Sequence, residues 1–359
     1  MIKQWNSTCK LLWLLPLFLF FSCKGQEKVK ISNELVKIVA DSISYTTEFL
    51  PEFKIYRHSD EPQGNPISGV VRTMIQDKNS LLWFGSQNGL CCLKDKYLTY
   101  FDIKDSLGNS ITVKAIVEDS NGNIWIGHDG LTKYDGKHFI NYSEKNGLIN
   151  NDIWSLAVDK KGIIWIGTLQ GVSKFDGEKF TNFKIPDAEP DHTRGVTSAK
   201  IVHSIMVDTK GKVWFGTNGG AYFYDGKTLI NISEKDGLCN NNVNVILEDK
   251  QGNIWFGTTH NGLCYYDGET FKNIPITKGK EVWSLMEDKQ GNIWFSVKGF
   301  GVYCYNGKIV KSYSEKEGLS SVVFNIFEDS NNRIWCNGFK GSYRLEGEKF
   351  IYITRDGPW

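Results

Sequence analysis

The sequence has almost no net charge and little proline. Its 42 Lys and Arg residues are balanced by 41 Asp and Glu residues over 359 positions, for a formal net charge of +1. Nucleic-acid binding depends on a basic patch or stripe, so this balance gives no support for a nucleic-acid partner. Proline occurs 8 times, whereas glycine and tryptophan occur 36 and 12 times. Abundant Gly and Trp without long helical patterns indicate short strands separated by turns.

The apolar run near the N-terminus is too short to span a membrane. It covers 11–21 (LLWLLPLFLFF), whereas a spanning helix needs about 20 residues. Preceded by Lys3 and Lys10, it is typical of the core of a secretory signal. A small residue and Cys23 follow at once, which resembles the lipobox of bacterial lipoproteins. The resemblance implies a signal peptide at 1–22 and a lipid on Cys23, which would anchor the protein without spanning the membrane. The alternative is plain cleavage, with Cys23 an incidental thiol.

Cysteine forms no metal-binding or redox motif. After Cys9 and Cys23, six cysteines remain, and no CxxC pair occurs among them. Export permits disulfides, but these residues fall at unrelated places in the repeat described next. We therefore expect most of them to be free and buried. They are Cys91, Cys92, Cys239, Cys264, Cys304 and Cys336.

A tryptophan recurs about every forty residues, and an aspartate stands six residues before each copy. The tryptophans are Trp83, Trp125, Trp165, Trp214, Trp255, Trp294 and Trp335. The aspartates are Asp77, Asp119, Asp159, Asp208, Asp249, Asp288 and Asp329. A fixed period of this length is typical of repeat architectures.

Each repeat unit is predicted to form four short strands. In the fifth unit they cover 243–248, 253–258, 263–266 and 270–274, separated in part by D-x-x-G and D-G turns. Seven such units predict an all-β fold, a seven-bladed β-propeller of four-stranded antiparallel blades at 51–359. Stacking buries both faces of each blade, and closing the circle removes the two end faces. We interpret the seven tryptophans as wedges between neighbouring blades.

The two ends of the repeat region both resemble the fourth strand of a blade. These segments are 53–56 (FKIY) and 349–353 (KFIYI). One of the two is expected to complete the last blade beside the first, and the sequence leaves open which.

The string D-x-x-G-N-I-W-[IF]-G-T-x-x-G-L-x-x-Y-D-G, carried by 119–136 and 249–268, resembles the two-component-regulator propeller repeat. The resemblance covers about 53–353. In its best-known setting this propeller is the periplasmic sensor part of hybrid histidine kinases, often in carbohydrate-responsive systems. No kinase motif follows the repeats here, so the resemblance implies only a sensor-like binding role. The expected partner is a small polar ligand or glycan fragment; the alternative is an envelope protein held by an interaction scaffold.

One column of the repeat varies while its neighbours stay apolar or small. It lies five residues before each turn aspartate, near the face of the ring that holds the loops between second and third strands and between blades, called here the top face. Its members are Arg72, Lys114, Trp154, His203, Asn244, Trp283 and Phe324. Cations, aromatics, a His and an Asn at the channel mouth would suit a sugar or a carboxylate. The alternative is that this column faces neighbouring blades and varies harmlessly.

Two other features belong to the top face. The 49-residue interval before Trp214 places an insertion at 184–200, which either covers the channel or is a solvated loop. The histidines predicted on this face are His128, His192, His203 and His260. They could form acid–base pairs or part of a metal site, and the repeat is more distantly similar to the propeller of virginiamycin-type lyases. No residue can be matched to that catalytic site, so we predict no enzyme activity, catalytic residue, metal or cofactor.

The segment 23–50 is predicted to be a tether, with a short helix at 34–40 if it is ordered. Residues 24–28 lack an acidic cluster of the kind linked to surface display. We therefore expect an exported, lipid-anchored monomer that faces the periplasm rather than the cell surface.

Overall fold

Seven antiparallel sheets make up the part of the chain that the computed structural model describes, residues 52–57, 64–103, 109–320 and 322–359. The signal peptide, Cys23 and the tether fall outside these residues. Within them, no helix has the length and apolar character needed to cross a bilayer. The predicted all-β, seven-bladed propeller with four antiparallel strands in each blade is confirmed.

The strands follow one another blade by blade. Before the first blade comes β1 (Glu52–Arg57). Blade one contains β2 (Val71–Gln76), β3 (Leu82–Ser86), β4 (Gly89–Lys94) and β5 (Tyr97–Asp102). Blade two contains β6 (Ala115–Glu118), β7 (Ile124–His128), β8 (Gly130–Tyr134) and β9 (Phe139–Tyr142). Blade three contains β10 (Ile153–Val158), β11 (Ile164–Thr168), β12 (Gly171–Phe175) and β13 (Phe180–Phe183).

The remaining blades repeat this order. Blade four contains β14 (Val202–Val207), β15 (Val213–Thr217), β16 (Gly220–Tyr224) and β17 (Leu229–Ile232). Blade five contains β18 (Val243–Glu248), β19 (Ile254–Thr258), β20 (Leu263–Tyr266) and β21 (Phe271–Asn273). Blade six contains β22 (Val282–Glu287), β23 (Ile293–Val297), β24 (Gly301–Tyr305) and β25 (Val310–Tyr313). Blade seven contains β26 (Val323–Glu328), β27 (Ile334–Gly338), β28 (Gly341–Glu346) and β29 (Lys349–Ile353). Single 3₁₀ turns lie between blades at Glu144–Asn146, Glu234–Asp236, Pro275–Thr277 and Glu315–Glu317.

The ring closes without exchanging a strand. The C-terminal strand β29 completes blade seven by pairing with β28, while β1 pairs with β5 as a fifth, outer strand of blade one. Blades seven and one then meet through a bridge between Val70 and Phe339. The backbone N–H of Ser330 also donates to Gln76 Oε1 at 2.7 Å. Of the two strand-like ends, the C-terminal one therefore finishes the last blade.

Each tryptophan joins its own blade to the next one. The indole Nε1–H donates to Oδ2 of the turn aspartate at 2.7–3.0 Å in all seven blades. The ring itself packs into the core of the following blade: Trp83 lies with Ile116 and Ile126, and Trp335 lies with Val71 at the closure. The interpretation of these side chains as wedges is confirmed.

A second link between blades, a hydrogen bond to a Glu or Gln side chain, was not predicted from the sequence. Strand A, the first strand of each blade, ends in a Glu or Gln in five blades, and that side chain accepts from the backbone N–H after the turn aspartate of the preceding blade at 2.6–2.8 Å. The acceptors are Glu118, Glu248, Glu287, Glu328 and Gln76. Blades three and four have Val158 and Val207 at this position, and a Val side chain has no acceptor for this bond.

The second strand of five blades carries a glycine because there is no room for a side chain. A Cβ at Gly257 would lie 2.6 Å from Cγ1 of Val245 and 2.7 Å from Cγ1 of Val282 in the next blade. Blade six holds Ser296 at the equivalent position. These glycines let neighbouring first strands approach closely around the channel.

One pair of cysteines forms a disulfide. Cys239, in the connection that enters blade five, is bonded to Cys264 in β20. Cys91, Cys92 and Cys336 are free and buried, and Cys304 is free and half-buried. The expectation that most cysteines are free is confirmed, and Cys239 and Cys264 are the exception to it.

Replacing the turn aspartate is expected to destabilise the ring. In blade five, Asp249 accepts four hydrogen bonds, from the backbone N–H groups of Gln251 and Asn253, from Asn253 Nδ2 and from Trp255 Nε1. Asp249→Ala leaves the buried indole donor unpaired and should lower the free energy of unfolding by about 3 kcal/mol in urea denaturation. The control is Asp225→Asn in an exposed turn, where blade six already uses Asn306. A loss for Asp249→Ala no larger than for the control would contradict this role.

A methyl group at the central glycine should also be costly. Gly257→Ala places its Cβ against Val245 and Val282, and overpacking of this kind destabilises by about 1–3 kcal/mol. Ser296→Ala is the matched control, because the Ser296 hydroxyl is buried without a hydrogen-bond partner in the described structure. Thermal melts should show a lower Tm for Gly257→Ala and an unchanged or higher Tm for Ser296→Ala. Equal melting of the two variants would refute the packing argument.

Candidate functional site

The variable column coincides with an irregularity in the backbone. In blade five, Val243 pairs with Thr258 and Val245 with the adjacent Gly257, so Asn244 between them has no partner in β19. The same shift occurs in five further blades, at Arg72, Trp154, His203, Trp283 and Phe324. A β-bulge of this kind bends the strand and redirects the extra side chain. In blade two, Lys114 stands just before β6.

All seven residues of the column line one cavity of about 690 Å³ at the top face. The wall also includes Asp152, Glu281, Lys298, Phe339 and residues 193–196. The structure therefore brings together every residue that the sequence nominated for the channel mouth. Ligand binding by these residues stays a prediction.

The insertion at 184–200 folds over blades four to six. Arg194 Nη1 donates to Asn244 Oδ1 at 2.7 Å, and its Nη2 lies 3.6 Å from Glu281 Oε1. Deeper in the insertion, the buried Asp191 accepts from the Thr193 hydroxyl at 2.6 Å. These contacts hold part of the insertion against the rim of the channel. Arg194 thereby becomes part of the cavity wall, which the spacing of the repeat does not predict.

Most charged groups of the cavity are paired. Lys114 forms an ion pair with Asp152, and Lys298 Nζ lies 2.9 Å from Glu281 Oε2. Arg72 differs: within the described part of the chain it has neither an ion pair nor a hydrogen bond, and its Nε is buried. Burial lowers the pKa of Arg72. Arg72 is thus a cation of the cavity wall without a carboxylate partner among the described residues.

The aromatic rings of the cavity already have neighbours. Trp283 stacks on Phe324 with ring centres 5.1 Å apart, and Lys298 Nζ lies 5.2 Å from the centre of Trp283. Lys114 Nζ lies 5.3 Å from the centre of Trp154. The indole N–H groups of Trp154 and Trp283 are buried without hydrogen-bond partners in the described structure. These rings interact with cations, and their polar edges are left unsatisfied.

The top-face histidines do not converge on one centre. His203 Nε2 lies 2.8 Å from Asn218 Oδ1, and burial, aided by the nearby charge of Arg194, lowers the pKa of His203 to about 4. His260 instead pairs with Asp191 at 3.0 Å. Among the described residues, no three His, Cys, Asp or Glu side chains are grouped to hold a metal ion.

His128 is a buried, neutral histidine behind the cavity wall. It is 7% exposed, and its Nε2 lies 2.8 Å from Thr132 Oγ1. Burial and then the charge of Lys114 lower the pKa of His128 to about 4. Its environment suits a structural role better than proton transfer near neutral pH.

A second groove, of about 780 Å³, lies between blades four and five on the side of the turns. Its wall includes Asp208 and Trp214, which are hydrogen-bonded to each other at 2.9 Å. These are repeat positions shared by every blade, so the groove follows the scaffold and is a weaker candidate than the channel mouth.

Five segments of the chain match the family described as "Two component regulator propeller": 106–130, 147–170, 195–219, 237–260 and 278–299. These are two component regulator propeller repeats. The matched segments fall in blades two to six, and blades one and seven carry the same aspartate–tryptophan bond. The resemblance inferred from the sequence motif is confirmed. Comparison with curated protein sequences gives no match.

Solved structures with this fold include both regulators and enzymes. The extracellular domain of the putative hybrid two component system BT4673 from B. thetaiotaomicron has a TM-score of 0.62 and 22% identity, over 80% of this chain and 40% of that one. That of BT3049 from the same organism gives 0.62 and 22%, over 82% and 42%. A catalytically inactive virginiamycin B lyase from Staphylococcus aureus, with quinupristin, gives 0.61 and 16%, over 81% and 98%. At these identities the likeness establishes the fold alone, and this repeat propeller spans about two fifths of the two regulator domains.

Buried neutral His128 should make stability depend on pH. Its pKa of about 4 in the folded protein lies below the value of about 6.5 expected in the unfolded chain. Protonation therefore favours unfolding, and stability present above pH 6.5 is lost as the pH falls toward 4. Between pH 7 and 4.5 this group should contribute a loss of about 2 kcal/mol.

The measurement is urea denaturation at both pH values for the wild type and His128→Gln. The variant should lose less stability on acidification than the wild type, because it lacks the titrating group. Equal losses in the two proteins would show that His128 is not responsible.

Proposed function

We propose that this repeat propeller is a sensor-like binding protein of the cell envelope that recognises a small polar ligand, of the carbohydrate class, at the channel mouth. One observation carries the proposal: all seven positions of the variable column line a single cavity. The opposite face carries nearly uniform turns, which serve the scaffold. A cavity of about 690 Å³ is within the usual size range of ligand sites.

The chemistry of the wall supports a ligand rich in hydrogen-bond acceptors. The indole N–H groups of Trp154 and Trp283 and the Nε–H of Arg72 are donors without acceptors in the described structure. A buried polar group without a partner is costly unless a ligand or water completes it. Sugar hydroxyl and ring oxygens are acceptors of the required kind.

Export is part of the proposal. The apolar run at 11–21 followed by Cys23 supports a lipid-anchored envelope protein. A disulfide between Cys239 and Cys264 is compatible with an oxidising compartment. The similar regulator domains are described as extracellular.

An interaction scaffold is the second candidate. Two exposed apolar side chains stand on the top face outside the cavity wall: Ile276 and Phe300 are 46% and 53% exposed. Exposed apolar groups around a rim are compatible with a protein partner. Such a partner would depend on these rim residues, whereas a small ligand would depend on the cavity wall.

We infer binding rather than catalysis, although some similar folds are lyases. A general base works best with a pKa near the operating pH. The pKa of His203, the histidine of the cavity wall, is lowered to about 4, first by burial and then by the charge of Arg194. The His203 ring is hydrogen-bonded to Asn218 and not to a carboxylate, which would make it a stronger base.

The proposal is tested by a thermal-shift and glycan-array screen with polysaccharide fragments, followed by titration of any hit. Trp154→Ala combined with Trp283→Ala should weaken binding by about tenfold or more, because both side chains line the cavity. The thermal melt of this double variant should stay cooperative.

The matched control is Phe300→Ala with Ile276→Ala at the exposed rim, outside the cavity wall. Unchanged affinity in the tryptophan double variant would refute the proposed site. Loss of binding only in the rim variants would favour the scaffold function.

A further inference from the structure

Arg72 is a cation without a counter-charge. It begins the ring of cavity residues in blade one, and its Cζ lies 5.0 Å from the ring centre of Phe324 in blade seven. Its Nε is fully buried without an acceptor. Within the described residues, no carboxylate forms an ion pair with it, and burial lowers its pKa.

The other cations of the cavity show that this is a local exception. Lys114 is paired with Asp152, and Arg194 and Lys298 share Glu281. The wall therefore has four cations and two carboxylates. Arg72 is the one of the four without a carboxylate partner among the described residues, and it stands where blades seven and one meet, against Phe324 of the stacked pair.

Arg72 as a whole is half-buried, and a charge that loses part of its water without gaining a partner destabilises the folded protein. A bound anion would supply the missing partner. The planar guanidinium of arginine can bind a carboxylate or sulfate through two parallel hydrogen bonds. Phe324 and Trp283 stack on each other, so each of these two rings already has a partner within the protein. Charge is therefore the recognition element that this wall offers.

We propose that the ligand of the channel mouth is anionic, and that Arg72 binds its carboxylate or sulfate group. This inference rests on the proposed function and narrows it from a polar ligand to a negatively charged one. The indole N–H of Trp283, a second residue of the cavity wall, has no acceptor in the described structure and supplies a donor for another oxygen of the ligand. An acidic sugar has both a negative charge and the additional oxygen acceptors of a sugar. A small organic acid or sulfate has the charge without the sugar.

The first experiment is calorimetric titration of the full mature chain with four probes. Digalacturonic acid represents an acidic sugar, succinate an organic acid and sulfate an inorganic anion, while cellobiose is the neutral disaccharide. At least one anion should bind at millimolar concentration or below, and cellobiose should bind at least tenfold more weakly. Arg72→Gln should weaken binding of that anion by about tenfold or more, and Arg72→Lys should restore only part of it. Lys308→Gln, an exposed change in a turn of blade six, is the charge-matched control.

The second experiment measures the free protein. Arg72→Met keeps the length of the side chain and removes the charge, so the Tm without ligand should rise by about 2 °C or more. A lower Tm would mean that the protein itself satisfies Arg72, which would overturn the inference. Lys298→Met is the contrasting variant, because it removes a partner from Glu281 and should lower the Tm.

The outcomes separate this inference from the proposed function. Binding of a polysaccharide fragment that needs Trp154 and Trp283 but is unaffected by Arg72→Gln would leave the proposed function standing and overturn the anionic ligand. Equal affinity for digalacturonic acid and cellobiose would do the same. No binding of any anionic probe would also overturn it. If digalacturonic acid alone binds, the ligand is an acidic sugar; if all three anions bind, charge alone is recognised.

Discussion

The hydrogen bond between the turn aspartate and the indole of its own blade is the interaction on which the ring depends. The tryptophan ring enters the core of the next blade, and a buried N–H without an acceptor would offset much of what that burial gains. The aspartate removes this cost with one oxygen, while its other oxygen accepts from the backbone four residues later and closes the first turn in all seven blades. One side-chain pair thus shapes the hairpin, orients the wedge and sets the contact between blades.

The glycines of the second strand and the bulges of the first strand separate residues that hold the blades together from residues that line the cavity. Glycines of the second strand leave room for side chains from the first strands of two neighbouring blades. In six blades a bulge in the first strand takes one residue out of the ladder. That residue contributes neither to the β-ladder nor to a blade core. It is free to differ between blades, as Arg72 and Trp283 do, while most residues that flank it are apolar or small. Differences in residue type at this position therefore change the lining of the cavity without changing the packing of the blades.

The ring is not symmetric, and three of its departures lie on the side of blades three to five. Blades three and four have Val158 and Val207 where other blades have a bridging Glu or Gln. The insertion leaves blade three at the top face and is held by Asn244 and Glu281. The disulfide between Cys239 and Cys264 also lies on this side. The opposite side, from blade six to blade one, holds the aromatic stack and Arg72.

The sequence by itself determined the number of blades, the order of their strands and the column of residues at the channel mouth. These follow from local spacing: an aspartate six residues before a tryptophan forms its bond within one hairpin, whatever the rest of the chain does. Only the tertiary structure decided which way the column faces, because a bulge is a relation between two strands and leaves no motif in one. It also decided that β1 joins blade one, since both ends of the repeat region have similar strand patterns. The contacts of Arg194 with Glu281 and of Cys239 with Cys264 were beyond reach for a similar reason: each joins two elements that only the folded chain brings together.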